Sequence, residues 1–186
     1  MNTKRQLLIN TALELFYQQG IHVIGINEVL KQSGIAKKTL YHHFDSKDAL
    51  ILAALQQRHE VFYQWLESKL NQADSDESMI EALFYALESW VSGKESVLGH
   101  FRGCFFVNSA VEFSAADSQI AQYCQYHKAQ VKKLIGQGLQ KQSIYLLDMV
   151  CLLKEGFISQ SHVNQQAADA QACINTAKLA LKTLSE

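Results

Sequence analysis

Residues 26–44 read INEVLKQSGIAKKTLYHHF, and this stretch decides the fold. Ile26, Val29 and Leu30 recur at helical spacing, which predicts a short helix over about 26–32. Ser33-Gly34 stops it, because glycine readily takes the left-handed conformation that closes a helix. Ile35 packs at the entry of a second short helix, about 36–43. Two short helices joined by Ser33-Gly34-Ile35 have the length and glycine position of a helix-turn-helix. In that motif the second helix enters the DNA major groove, and only its first turns reach base edges. Leu40 and Phe44, four apart, are its inward anchors. Lys37, Lys38, Thr39, Tyr41, His42 and His43 form the outward face. Ammonium and hydroxyl groups on one face suit phosphate and base contacts.

The same periodicity continues on both sides. Leu8, Ala12, Leu15 and Phe16 predict a helix over about 4–19, with Thr3 as N-cap of a capping box closed by Gln6 and Gly20 as its stop. Ser46 caps a long helix that runs to about residue 71, with Asp48 near the positive end of its dipole. Residues 71–76 (NQADSD) form a polar break. Further helices are expected at about 77–92, 118–140, 143–161 and 166–184, with an irregular stretch over 94–116 that turns at Gly99 and Gly103. The 186 residues contain no proline, where roughly 5% is average, and proline costs about 3 kcal/mol inside a helix. The fold expected is therefore all-α.

Composition narrows the function. A hydrophobic content of 48% is too high for a disordered tail. No apolar run approaches the ~20 residues of a membrane span, and no secretory cleavage signal follows the amphipathic start, so the cytoplasm is expected. The net charge of −1 hides an asymmetry. Residues 1–58 carry seven Lys/Arg against four Asp/Glu, and the remainder carries ten against fourteen. A basic head on an acidic body points to a polyanionic partner for the head alone. Cys104, Cys124, Cys151 and Cys173 are too widely spaced for a zinc ribbon or a disulfide scaffold, so free thiols are expected. There is no Gly-rich phosphate loop, no H-E-x-x-H and no nucleophile elbow, hence no enzyme and no cofactor is expected.

The run Leu8…Ala12…Phe16…Gly20…Val29…Ser33-Gly34-Ile35…Thr39-Leu40-Tyr41-His42-His43-Phe44…Ser46-Lys47…Leu50 resembles the DNA-binding domain of the TetR family of transcriptional regulators. The resemblance covers about the first 55 residues. It implies an all-α homodimer with a helix-turn-helix domain over 1–47. A ligand-binding and dimerisation domain over 48–186 would follow, linked through the fourth helix. It implies a repressor of a palindromic operator, released by a small molecule, with the last two helices pairing across the dimer. Position by position, Lys37, Lys38 and Thr39 match the start of the recognition helix. Tyr41, His43 and Lys47 match common backbone contacts, and Arg5 lies where the first helix approaches the DNA. His42 lies on the same face. Gly25 stands where the family often has Ser or Thr, and Ala36 where it often has Ser, so a hydroxyl is missing at both helix starts.

The second half is less specific. Residues 102–113, RGCFFVNSAVEF, share a Gly-Cys-x-x-x-Asn-x-x-x-Glu pattern with some TetR-like regulators. Cys104 has three readings: a small buried hydrophobe, a thiol sensor activated by Arg102 and His100, or part of a His₂Cys₂ metal site with His100, Cys124 and His127. Aromatic residues are dense and could be core or the lining of a hydrophobic effector pocket. The candidate lining comprises Phe62, Trp65, Phe84, Trp90, Phe101, Cys104 and Phe105, with Asn108, Glu112, Tyr123 and Tyr126 as its polar groups. The last two helices carry Leu146, Leu147, Val150, Leu153, Phe157, Ala170, Cys173, Ala177, Ala180 and Leu181. The resemblance makes these the dimer interface; packing within one chain is the other reading, and the two are compatible because each helix has more than one face. Two other classes stay open: an electrophile sensor on the same scaffold, and a helical carrier or enzyme whose DNA-binding head is vestigial.

Overall fold

The computed structural model describes residues 3–115, 117–141 and 143–184. Residue 116, the end of the irregular stretch, and residues 1–2 of the amphipathic start lie outside it. The described residues form nine α-helices: α1 Thr3–Gln19, α2 Ile26–Ser33, α3 Lys37–His43, α4 Lys47–Leu70, α5 Asp76–Val91, α6 Phe105–Glu112, α7 Gln119–Gly138, α8 Ile144–Asn164 and α9 Ala170–Thr183. A short 3₁₀ turn covers Ser96–Leu98. No strand occurs among the described residues. Thr3 is already helical, so it does not cap α1. The expected stops hold at Gly20 and Gly34, with φ of 93° and 68°.

The chain divides into two compact units. One comprises Met1–Glu60 with Phe105–His127, the other Val61–Cys104 with Lys128–Glu186. Helices α4 and α7 each give residues to both. This packing division is not drawn at residue 47: the first unit also takes residues 48–60, α6 and the start of α7.

In the first unit, the α1 stripe Leu8, Ala12, Leu15 and Phe16 is buried together with Val29, Leu40, Phe44, Leu50 and Ile51. α6 adds Phe105 and Phe106, and Phe105 meets Tyr17 edge-on at 5.7 Å. Removing such apolar surface from water supplies the driving force, about 25 cal/mol per Å².

In the second unit, α5, α8 and α9 pack together around Leu83, Phe84, Leu146, Phe157, Ile174 and Ala177. Polar side chains fix three helix starts there. Ser75 and Ser78 form a reciprocal capping box on α5, Ser143 caps α8 and Asp169 caps α9. Each satisfies a backbone N–H that a helix cannot bond itself.

Candidate nucleic-acid interface

α2 and α3 build the site. Gly34 closes α2 in the left-handed conformation, its N–H donating to Leu30. Ser33 tightens the turn: its hydroxyl oxygen accepts from the N–H of Ile35 at 3.3 Å. α3 spans only two turns. Leu40 is fully buried and Phe44 nearly so, which orients the helix as their four-residue spacing predicts. Lys37, Lys38, Tyr41 and His42 are exposed, while Thr39 and His43 are half-buried. The α3 face therefore presents two ammonium groups and a phenol to solvent.

The remaining predicted DNA contacts divide. Arg5 is exposed, and its guanidinium lies 5.2 Å from the centre of the Phe44 ring. Gly25 is the N-cap of α2 in an extended conformation, and Ala36 is that of α3; neither has a side-chain cap bond. Lys47 turns inward. Its Nζ donates to the Ile21 carbonyl at 2.7 Å and lies 5.9 Å from the Phe16 ring centre. Burial holds its pKa below that of an ordinary lysine, against the opposing pull of Glu112 and Asp48. Arg58 is also spent inside: it is only 6% exposed and lies over Tyr17 at 4.9 Å. The outward positive excess of the head is thus smaller than its sequence count.

The predicted effector residues are largely occupied by packing. Phe62, Trp65, Phe84, Trp90 and Phe105 are buried, and Phe101 is half-buried. Phe62, Trp65 and Trp90 form an aromatic cluster with centroids 5.2–6.2 Å apart, and Phe101 meets Trp90 edge-on at 4.8 Å. The Trp65 indole N–H donates to Glu95 at 2.9 Å. Asn108 and Tyr123 are half-buried and Tyr126 is exposed. Burial, with Tyr126 and Glu60 nearby, pushes the Tyr123 phenol up to about 12. Two grooves of about 450 and 700 Å³ lie along α7–α8 and α8–α9, and none of the predicted effector residues lines either.

Three chemical groupings escaped the sequence. Cys104 meets Lys128, whose Nζ donates to its sulfur at 3.4 Å and to Glu155 at 2.6 Å. Lys154, only 4% exposed, pairs with the same Glu155. Burial alone would lower the Lys128 pKa, but negative charge on Cys104 and Glu155 outweighs it and raises the value. Beside the expected Arg102 and His100, a lysine 24 residues away thus meets the thiol. The proposed His₂Cys₂ metal set is not assembled: no group of three or more His, Cys, Asp or Glu among the described residues is placed to hold a metal. His127 instead stacks on Phe106 and faces His59, with Nδ1 atoms 2.9 Å apart. Glu112 bonds the backbone of residues 21 and 22.

A helix closed by Gly34, followed by a two-turn helix that Leu40 and Phe44 anchor and that carries outward lysines, defines a helix-turn-helix DNA-binding domain. Residues 8–54 match the family model of bacterial regulatory proteins, tetR family. An uncharacterized HTH-type transcriptional regulator of Bacillus subtilis, YxaF, is 27% identical over 51% of this chain and 50% of its own length. The chain thus spans about half the length of that relative. An HTH-type regulator from the lacX 3′ region of Lactococcus lactis is 28% identical over 74% of this chain and 68% of its own. In three dimensions the chain is similar to a TetR-family transcriptional regulator from Streptomyces coelicolor, with a TM-score of 0.78 at 24% identity, covering 98% and 96% of the two chains. Residues 8–54 thus carry the N-terminal DNA-binding domain of the tetR-family bacterial regulatory proteins, and the fold as a whole is similar to that of TetR-family structures. No helix among the described residues is long and apolar enough to cross a membrane.

Proposed function

We propose that the protein is a cytoplasmic, homodimeric repressor that residues 1–47 hold on a palindromic operator and that a small hydrophobic effector, bound within residues 48–186, releases. The observation that carries the DNA half is the exposed face of α3. Lys37, Lys38 and Tyr41 stand outward while Leu40 and Phe44 bury the opposite side. A dimer would place two such helices in successive major grooves, roughly 34–36 Å apart. An effector shifts that geometry only through its differential affinity for the two states.

Dimerisation is supported by exposed apolar side chains on the last two helices. Tyr145, Leu152 and Val163 on α8 and Leu179 on α9 are 67–76% exposed. Isolated apolar residues on a surface are ordinary, whereas several on two helices that pack together support an interface there. Half of the ten residues expected at the interface from sequence are buried within the chain: Leu146, Val150, Phe157, Ala170 and Ala177.

The Lys128–Cys104 contact supports a second reading. The thiolate is the form of cysteine that attacks electrophiles, and the Lys128 Nζ stands 3.4 Å from the Cys104 sulfur. Cys104→Ser should abolish release by an alkylating electrophile such as N-ethylmaleimide if that thiol is the sensor, and leave it unchanged if release is by reversible binding elsewhere.

Selection from random-sequence DNA tests the main reading. An inverted repeat with half-sites about one helical turn apart is expected. No enrichment, even after unfolding and refolding to strip a bound effector, would favour the carrier reading with a vestigial head.

A further inference from the structure

Glu112 ends α6, where a carboxylate is badly placed. The last carbonyls of a helix carry partial negative charge, so an anion there is disfavoured. Glu112 is nevertheless well bonded. Its Oε1 accepts from the N–H of Ile21 at 2.8 Å and its Oε2 from the N–H of His22 at 2.6 Å. The imidazole Nδ1 of His22 lies 3.2 Å from the same carboxylate. Lys47, at the start of α4, completes the grip by donating to the Ile21 carbonyl at 2.7 Å. Both backbone polar groups of Ile21 are therefore taken by side chains from distant parts of the chain, and its own side chain is fully buried. Gly20, at φ 93°, takes a backbone conformation that L side chains rarely adopt, while a Cβ there would meet Glu112 Oε1 at an ordinary contact distance of 3.5 Å.

The gripped residues belong to the six-residue link, 20–25, between α1 and α2. That link sets where the α2–α3 pair stands against α1. Base and phosphate contacts tolerate displacements of only about half an ångström. We propose that Glu112, together with Lys47, is a positioning pair for DNA recognition: the carboxylate at the end of α6 and the ammonium at the start of α4 clamp the α1–α2 link and fix the α3 face. This rests on the DNA-binding reading above and deepens it. It also gives α6, the helix that begins one residue after Cys104, a direct hold on the DNA-binding head. The Gly-Cys-x-x-x-Asn-x-x-x-Glu pattern thus ends in a residue that holds the head.

The sign of one substitution separates this role from its rivals. A carboxylate repels phosphate, so removing its charge by electrostatics alone would tighten binding to any DNA. A clamp predicts the opposite for the specific site. With the duplex enriched by random-sequence selection, Glu112→Gln should raise the operator Kd by about tenfold, the effect of losing one charge-assisted bond. The Kd for a scrambled duplex of equal length should stay unchanged or fall. Lys47→Met should also cost operator affinity, while the slope of log Kd against log salt stays at the wild-type value. A Lys47 that contacted phosphate would lower that slope by about one.

Equal or tighter operator binding by Glu112→Gln would overturn the proposal. So would a parallel loss on both duplexes with a lowered Tm, which marks fold support only. If Glu112→Gln does not fold, Lys47→Met carries the test through its operator-to-scrambled ratio, and an unchanged ratio overturns the proposal. Failure of the selection to enrich any duplex would remove the DNA-binding reading and this one together. An enriched duplex with unchanged ratios in the variants would remove this one alone.

Discussion

The α3 face and the aromatic centre of the second unit were both picked out by residue type, and they behave differently. On α3, the predicted Lys37, Lys38 and Tyr41 stand in solvent. In the second unit, Phe62, Trp65, Phe84 and Trp90 are buried against one another and their neighbours. A surface that binds a polyanion can be built in advance, because solvated cations cost nothing to leave exposed. An apolar pocket leaves its lining without packing partners, so dense aromatic sequence mostly reports core. Residue type therefore predicts which charged groups stand in solvent better than it predicts a hydrophobic cavity.

The comparison can be broken at several points. The largest effect is expected at Phe84, which has no exposure. Phe84→Ala should lower the unfolding free energy by about 3–5 kcal/mol in chemical denaturation. A loss under 1 kcal/mol would mean that the ring borders a vacancy, as a pocket lining would.

A smaller, pH-dependent effect is expected at Glu95. Burial pushes its pKa up, but hydrogen bonds from Lys69, Ser89 and Trp65 outweigh this and hold it below the usual range. Its stabilisation is present above the unfolded-state pKa and lost as pH falls through the folded one. Glu95→Gln should therefore cost about 1.5–3 kcal/mol near neutrality. The difference from wild type should shrink as the pH is lowered through the carboxylate range. A cost independent of pH would remove the charged network from the account.

On the other side of the comparison, Gly34→Ala should cost about 1–2 kcal/mol, because φ is 68° there while the space around it is open. Thermal unfolding measures it. An unchanged Tm would show that the turn relaxes without strain.

How much was legible follows from the range of the interactions. The helix-turn-helix was readable because its signals are local: a glycine stop, two anchors four apart and a short polar face. The boundaries of α2, α3 and α5 fell within a residue or two for the same reason. The partners of Cys104, Lys47 and Glu112 were not readable. Lys128 lies 24 residues from Cys104, Ile21 lies 26 from Lys47, and 91 residues separate Ile21 from Glu112. Sequence spacing encodes no such pairing without the fold. One clue to Glu112 did exist, since an acidic residue at a helix C-terminus calls for compensating positive partners. Half of the α8 and α9 residues expected at an interface are buried within the chain, because both helices are apolar on more than one side.

The most direct test of the account is operator binding by Lys37→Ala and Tyr41→Ala, titrated across salt beside a thermal melt. Both variants should keep the wild-type Tm, because both side chains are exposed. Both should bind the enriched duplex more weakly, by about 1 kcal/mol or more, and Lys37→Ala should also lose about one unit of salt slope if it meets a phosphate. Folded variants that bind the operator as tightly as the wild type would contradict the assignment of α3 as the DNA-reading helix.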